Sequence, residues 1–237
     1  TIINRLELDL NYKVIGVMYD ENGQPIYDGR DFVRNSKRFG VPQNRPRTYI
    51  MAFDRAHYGE GLIRALPNLL PDHNDLNIYE DLNDLLEFGA EPRHYMSSGY
   101  LETLERHRER QKANGNGFGY IVVNRPEVEH PIANTLLATG GSGKERNLVF
   151  DPQDGIAGMI VPTKTTPLNA KGIRVMTPRE WGKLQGFIGY AFIENGVDTF
   201  SFPEGISDCQ KYKQFGNSVT IPVIETMARF MLECFEI

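Results

Sequence analysis

Three short segments carry side chains whose types and spacing could do chemistry on an anionic or carbonyl-bearing ligand. PQNRPR at 42–47 brings Gln43, Arg45 and Arg47 together within six residues. A guanidinium donates hydrogen bonds in a planar fork and keeps its charge, so it suits anionic and carbonyl oxygens. A solvated basic loop is the plainer reading of these residues alone. RVMTPREWGKLQGF at 174–187 sets Thr177 before Pro178, with Glu180 three residues after Thr177, which is the pattern of a capped helix start. Trp181, Leu184 and Phe187 then recur at helical spacing and should face a core. Arg174, Thr177 and Glu180 therefore read as scaffold rather than as catalytic groups. YKQFGNSVTIPV at 212–223 places Asn217 and Ser218 before an apolar helix expected from about Val219 to Phe235. Their side chains and amides should then cluster at a helix N-terminus, suited to a carboxylate or a ribose. The alternative is a capped helix and nothing more.

Nucleophilic chemistry finds little support. The chain has two cysteines: Cys209 follows Asp208 in a polar stretch, and Cys234 follows Glu233 in an apolar helical run. Both read as ordinary thiols. GNGFG at 115–119 is not followed by a helical pattern, so it fails the context required of a dinucleotide-binding turn. No metal-ligating set is expected.

The elements that must position these residues come from a chain of 237 residues, 40% hydrophobic and 24% charged, enough for a sizeable core in one large or two small domains. No apolar run approaches the roughly 20 residues of a membrane span, and TIINRLELDL lacks the pattern of a signal sequence. Two cysteines suit a reducing cytoplasm better than a disulfide framework. The net charge of −5 argues against a generic nucleic-acid binder. Charge is unevenly placed, however. Residues 29–55 carry Arg30, Arg34, Lys37, Arg38, Arg45, Arg47 and Arg55 against Asp31 and Asp54, whereas 59–91 carry Arg64 against eight acidic residues. The first stretch reads as a backbone-binding surface and the second as a solvent-facing one.

A buried strand is expected over 12–20, a turn at ENGQP and a second strand over 47–53. Arg47 then lies where a loop meets a strand, the place where an open α/β sheet forms its ligand crevice. The first residues read as the tail of a helix. Helices are expected over LIRAL, over IYEDLNDLLEF and over 97–115, the last with a cap-like Ser98. Short strands follow at GFGYIVV, PIANTLLATG, NLVFD and GMIVP.

Taken together and in this order, the three segments resemble the late motifs of DNA (cytosine-5) methyltransferases. Gln43, Arg45 and Arg47 fit the family's Gln-x-Arg-x-Arg element. Arg174, Thr177, Arg179, Glu180, Leu184 and Gln185 fit its penultimate motif, with Met176 where leucine is usual. Gly216, Asn217, Ser218 and Val219 fit its last motif. The resemblance implies an α/β fold: residues 1–62 as the end of a Rossmann-like catalytic domain, 63–205 as a mixed α+β target-recognition domain, and 206–237 as a final motif and helix returning to the catalytic part. It further implies S-adenosylmethionine as cofactor, with Asn217, Ser218 and Val219 along one wall of its pocket. Arg45 and Arg47 would act in catalysis at the flipped cytosine and, with Gln43, at the DNA backbone. Within the variable domain Asn116, Ser142, Lys144, Arg146 and Asn147 offer donors to phosphates or base edges. The bland reading of GNGFGY and TGGSGKERN is a pair of solvated hairpin tips.

The family's Pro-Cys nucleophile, glycine-rich cofactor turn and Glu-Asn-Val element are not found in this sequence. The chain is therefore expected to work with an N-terminal catalytic half, either a separate subunit or the rest of the same polypeptide, on double-stranded DNA in a bacterial cytoplasm and nucleoid. A non-catalytic, site-specific DNA-binding subunit or inactive remnant is the competing expectation.

Overall fold

In the computed structural model, residues 1–117, 120–139 and 144–236 are described. The chain opens on a helical turn, α1 (Ile2–Asn4), that runs into a π-helical turn over Arg5–Asp9. Glu7 is buried there; it accepts the Val14 amide at 2.6 Å and Arg55 at 3.1 Å. The expected strand over 12–20 is cut short. Tyr12–Val14 pairs antiparallel with Ala52–Asp54, and Met18–Tyr19 turns back on Pro25–Ile26 across the ENGQP turn. Between them Gly16 takes φ +95°, and a Cβ there would press on the Phe32 ring. The second expected strand also divides: Pro46–Thr48 pairs with Val33–Asn35 before the chain crosses to Ala52–Asp54. Each half satisfies a different neighbour's backbone, which apolar run length does not reveal.

The helix α2 (Arg55–Ala65) kinks at Gly59, where φ is +72°. Over the acidic stretch that follows, the described helix is a single 3-10 turn, Asn83–Leu85. The side chain of Asp84 accepts the amides of Glu80 and Asp81, and that of Asp81 accepts the amide of Asn83. Such local acceptors compete with helical bonding, so IYEDLNDLLEF forms loops despite its periodicity. The next helix, α3 (Ser98–Ala113), starts one residue from the expected cap: Ser97 holds that position and its side chain makes no cap bond. It ends at Asn114, with Gly115 left-handed at φ +74°. Further along the chain Ala133–Asn134 runs parallel to Gln43–Asn44, and Leu148–Phe150 antiparallel to Ile173–Val175. GMIVP forms turns. The chain closes with α4 (Pro178–Leu184), α5 (Asp208–Asn217) and α6 (Ile221–Phe235).

The fold is mixed α/β, and its cores join segments distant in sequence. Ile15, Phe39, Phe53 and Ile63 pack with Val223, Met227 and Cys234, so the last helix returns to the first segment. Leu82, Leu136 and Val149 pack with Trp181 and Leu184 of α4 and with Tyr212 and Phe215 of α5. Burying such clusters at about 25 cal/mol per Å² is what holds the loops between them in place. Among the described residues no helix is long and apolar enough to cross a membrane, and no cluster of His, Cys, Asp or Glu could hold a metal.

Candidate functional site

Arg47 stands on the short strand Pro46–Thr48, opposite Arg34. It is exposed, and among the described residues its guanidinium meets only the carbonyl of Pro46, at 2.7 Å. Gln43 and Arg45, read from the sequence as DNA contacts, are spent inside the chain. Gln43 is fully buried; its Nε2 donates to the Leu184 carbonyl at 3.0 Å and its Oε1 accepts the Leu136 amide at 3.5 Å. Arg45 is 3% exposed and donates to the carbonyls of Leu136 (2.8 Å), Gly216 (3.0 Å) and Ser218 (2.7 Å). Burial, and then the charge of Arg47, push its pKa down to about 10, which leaves it protonated at neutral pH. Its Nε is buried without a partner among the described residues. The physical reason for this inward turn is the junction of three segments, whose carbonyls would otherwise be buried without donors.

The rest of the basic stretch is also largely neutralised. Arg30 pairs with Asp28, Arg38 with Asp72 and Arg55 with Glu7. Arg34 is buried against the carbonyls of Pro71, Leu70 and Asp31. Lys37 and Arg47 remain as exposed cations without a carboxylate partner among the described residues. Sequence counting saw a charged surface because the paired acids, Glu7, Asp28 and Asp72, lie outside 29–55.

The last motif does not sit at a helix N-terminus. Asn217 is the final residue of α5, Ser218 is its C-cap, and α6 begins at Ile221. The Ser218 amide is taken by Gln214 and Phe215, its hydroxyl by Phe215, and its carbonyl by Arg45. The turn closes this way because Gly216 lets the backbone of Leu137 and Ala138 approach, within 2.3 Å of where a Cβ would stand. Asn217 is exposed with its amide unengaged among the described residues, and Val219 is 47% exposed. Val219 lines a cavity of about 580 Å³ with Tyr190, Ala191, Ile221, Ile224 and Glu225. An open amide beside an apolar wall can take one side of a nucleoside-like group; Ser218 can contribute backbone position but no free hydroxyl.

The penultimate motif forms a closed scaffold. Arg174 and Glu180 are both fully buried and pair bidentately at 2.8 and 2.7 Å, while Arg174 Nε reaches Asp151 at 2.6 Å. Burial opposes the Arg174 charge, but Glu180 and Asp151 overcome it and raise its pKa. Thr177 and Glu180 close the capping box, and Thr177 Oγ1 donates to Glu87 at 2.7 Å. Glu87, which also pairs with Arg179, was not picked out from the sequence; it lies in an acidic run with no local signal.

Of the recognition candidates, Lys144 begins a 3-10 turn, Lys144–Asn147, and Arg146 lies within it. Lys144 Nζ lies 4.2 Å over the Tyr212 ring, and Arg146 is exposed. Asn147 is buried and locked to the Asn134 backbone at 2.7 and 3.3 Å, so it is not an available donor. Asn116 is exposed and lies 3.2 Å from Gln111. Ser142 lies outside the described residues.

A polar junction that sequence reading passed over underlies the whole site. Ser36, Thr220 and Gln185 are buried in mutual hydrogen bonds. Gln185 was read only as a motif residue, and a threonine between Val219 and Ile221, a hydroxyl inside an apolar run, was the further clue.

Residues 9–233 match the family model described as C-5 cytosine-specific DNA methylase. The chain is 35% identical to the type II methyltransferase M.HpaII of Haemophilus parainfluenzae, over 98% of this chain and 54% of that protein. It is 30% identical to type II methyltransferase M1.ScrFI of Lactococcus lactis subsp. cremoris, over 100% of this chain and 47% of the relative. It thus spans about half the length of these curated relatives. Among solved structures, Entamoeba histolytica methyltransferase EhMeth superposes with a TM-score of 0.56 at 17% identity, covering 98% of this chain and 57% of that one. A mutant of Spodoptera frugiperda DNMT2 gives 0.52 at 13%, covering 97% and 60%. At these identities the likeness is one of fold.

Proposed function

Since the chain belongs to the C-5 cytosine-specific DNA methylase family, we propose that it supplies DNA recognition and one cofactor wall to an enzyme that methylates carbon 5 of cytosine in a specific duplex site. The observation that carries this reading is the Arg45 clip. One guanidinium ties the loop that presents Arg47 to the backbone of Gly216 and Ser218, beside Asn217 and Val219.

Carbon 5 of cytosine is not nucleophilic until a thiolate adds to carbon 6, and a stacked base must first leave the helix. Arg47, with its fork open, donates to the carbonyl edge of the extruded base and stabilises charge that develops on the ring. Asn217 and Val219 hold one side of S-adenosylmethionine, which when bound supplies a methyl group on a sulfonium. Gln43 and Arg45 fix the loop and do not touch DNA. In the recognition part Lys144 meets phosphate, and Arg146 and Asn116 face base edges. Residues 1–62 with 206–237 form the catalytic-side unit, and 63–205 the recognition unit. The thiolate and the ring-protonating glutamate come from a further segment or subunit. Exposed Ile2, Leu10 and Met18, with Leu232 and Phe235 on α6, give that partner apolar surface to cover.

The test is methyl transfer from labelled S-adenosylmethionine to cytosine-containing duplexes. Residues 1–237 alone should transfer nothing, and adding a polypeptide that carries the Pro-Cys and Glu-Asn-Val elements should restore transfer. Turnover by the chain alone that is lost in Cys209→Ser or Cys234→Ser would overturn the reading. Duplex binding without restored transfer would favour a non-catalytic recognition protein. In the same assay Arg146→Ala should lose discrimination at one base pair, by about 1 to 3 kcal/mol; uniform weakening across all duplexes would remove that assignment.

A further inference from the structure

Beneath the Arg47 loop a file of three buried side chains crosses from one half of the proposed site to the other. The Ser36 hydroxyl lies 2.8 Å from that of Thr220, 184 residues away in sequence, and Thr220 donates to Gln185 Oε1 at 2.8 Å. A threonine hydroxyl has a single proton; with that proton on Gln185, Ser36 is the donor to Thr220. Gln185 Nε2 donates to the Phe215 carbonyl at 3.2 Å, and the Gln185 carbonyl accepts the Ile221 amide at 2.9 Å. None of the three side chains is more than 2% exposed.

The two ends of the file adjoin the two groups of residues assigned above to the base and to the cofactor. The Ser36 amide donates to the Arg45 carbonyl at 3.3 Å, two residues before Arg47. Thr220 directly follows Val219, and Phe215 stands two residues before Asn217. Thr220 also occupies the N-cap position of α6, yet its side chain makes no capping bond to that helix. Its hydroxyl is spent wholly on the file. Burying three polar groups costs desolvation that apolar residues of similar shape would avoid, so stability of the core does not account for them. A chain of polarised hydrogen bonds does fix geometry tightly.

We propose that Thr220 is a positioning residue which, through Ser36 and Gln185, sets the separation between the Arg47 loop and the Asn217–Val219 wall, and so the register of base and methyl donor. This rests on the function proposed above. The file touches neither ligand, so its loss acts on their joint placement rather than on either affinity.

The experiment uses the complete enzyme, the chain together with the polypeptide that restores transfer, with active sites counted by labelled S-adenosylmethionine binding. In Thr220→Val, kcat per site should fall about tenfold or more while KM for DNA and for cofactor stay within about threefold. Thr220→Ser, which keeps the hydroxyl, should recover kcat to within about threefold of the original. Ser36→Ala should reproduce the loss from the other end, and the double variant should be no worse than either single one, because both break one chain. Native kcat per site in Thr220→Val, equal impairment of Thr220→Ser, or losses that multiply in the double variant would each overturn the proposal. If the unsubstituted enzyme methylates no cytosine-containing duplex, the functional reading itself has failed, and that is seen before any substitution is made.

Discussion

Removing the Arg47 guanidinium takes away an exposed donor whose described partner is the adjacent Pro46 carbonyl, so the cost should fall on chemistry and not on folding. In the complete enzyme Arg47→Ala should lose about 2 to 5 kcal/mol of transition-state stabilisation, read from kcat/KM, with its melting temperature nearly unchanged. Arg45→Ala should instead lower the melting temperature, and it should lower transfer as well, because the loop that presents Arg47 loses its tie. It leaves the carbonyls of Leu136, Gly216 and Ser218 without their buried donor, at about 1 to 3 kcal/mol for each one that water does not reach. Calorimetry beside the transfer assay checks the pair. An Arg47→Ala protein that melts much earlier, while its folded fraction keeps full specific activity, would make Arg47 structural. The sequence presented these arginines as equivalents two positions apart. Which one faces inward depends on the carbonyls that two distant segments bring to the loop.

At the scale of elements, α4 shows what a local pattern can carry. Thr177, Pro178 and Glu180 specify its start, and the capping box forms as read. The partners of that start are not local: Glu180 also holds Arg174 and the Glu87 amide, and Arg174 reaches Asp151. Glu180→Gln should therefore cost far more than loss of the cap alone. Breaking a buried pair costs about 3 to 5 kcal/mol, whereas Thr177→Ala should cost about 0.5 to 2 kcal/mol for the cap. Urea unfolding of the two variants gives the order, and a larger loss in Thr177→Ala would show that the ion pair contributes little. The stretch 76–91 marks the opposite case. Its helical periodicity is genuine, but Asp81 and Asp84 are placed to satisfy backbone amides in turns, and Leu82 and Leu85 reach the core from there.

For the molecule as a whole, His94 gives stability a pH dependence. It is buried beside the Arg174 scaffold, and burial, then Arg93, push its pKa down to about 4, against the opposing charges of Asp208 and Glu91. The unfolded chain takes up a proton near pH 6.5, while the folded one stays neutral to about 4. His94 therefore does not oppose folding above pH 6.5, and stability declines as pH falls from there toward 4, by at most about 1.4 kcal/mol per pH unit. His94→Gln should flatten the urea midpoint between pH 6.5 and 5 relative to the native chain. Parallel curves would mean that His94 protonates in the folded state without penalty.

By itself the sequence determined the family, the capped start of α4, and the helical character of 98–113 and of the C-terminus. These rest on spacings of a few residues, and short-range periodicity and capping chemistry are written in such spacings. Only the tertiary structure decided that Arg45 and Gln43 turn inward and Arg47 outward, that Asn217 ends one helix instead of starting the next, that most of the basic stretch is engaged by carboxylates or by backbone carbonyls, and that Ser36 meets Thr220. Each of these depends on which backbone carbonyl or carboxylate arrives from far along the chain. A buried polar group must find a partner wherever the packing brings one, and no local pattern records which partner that is.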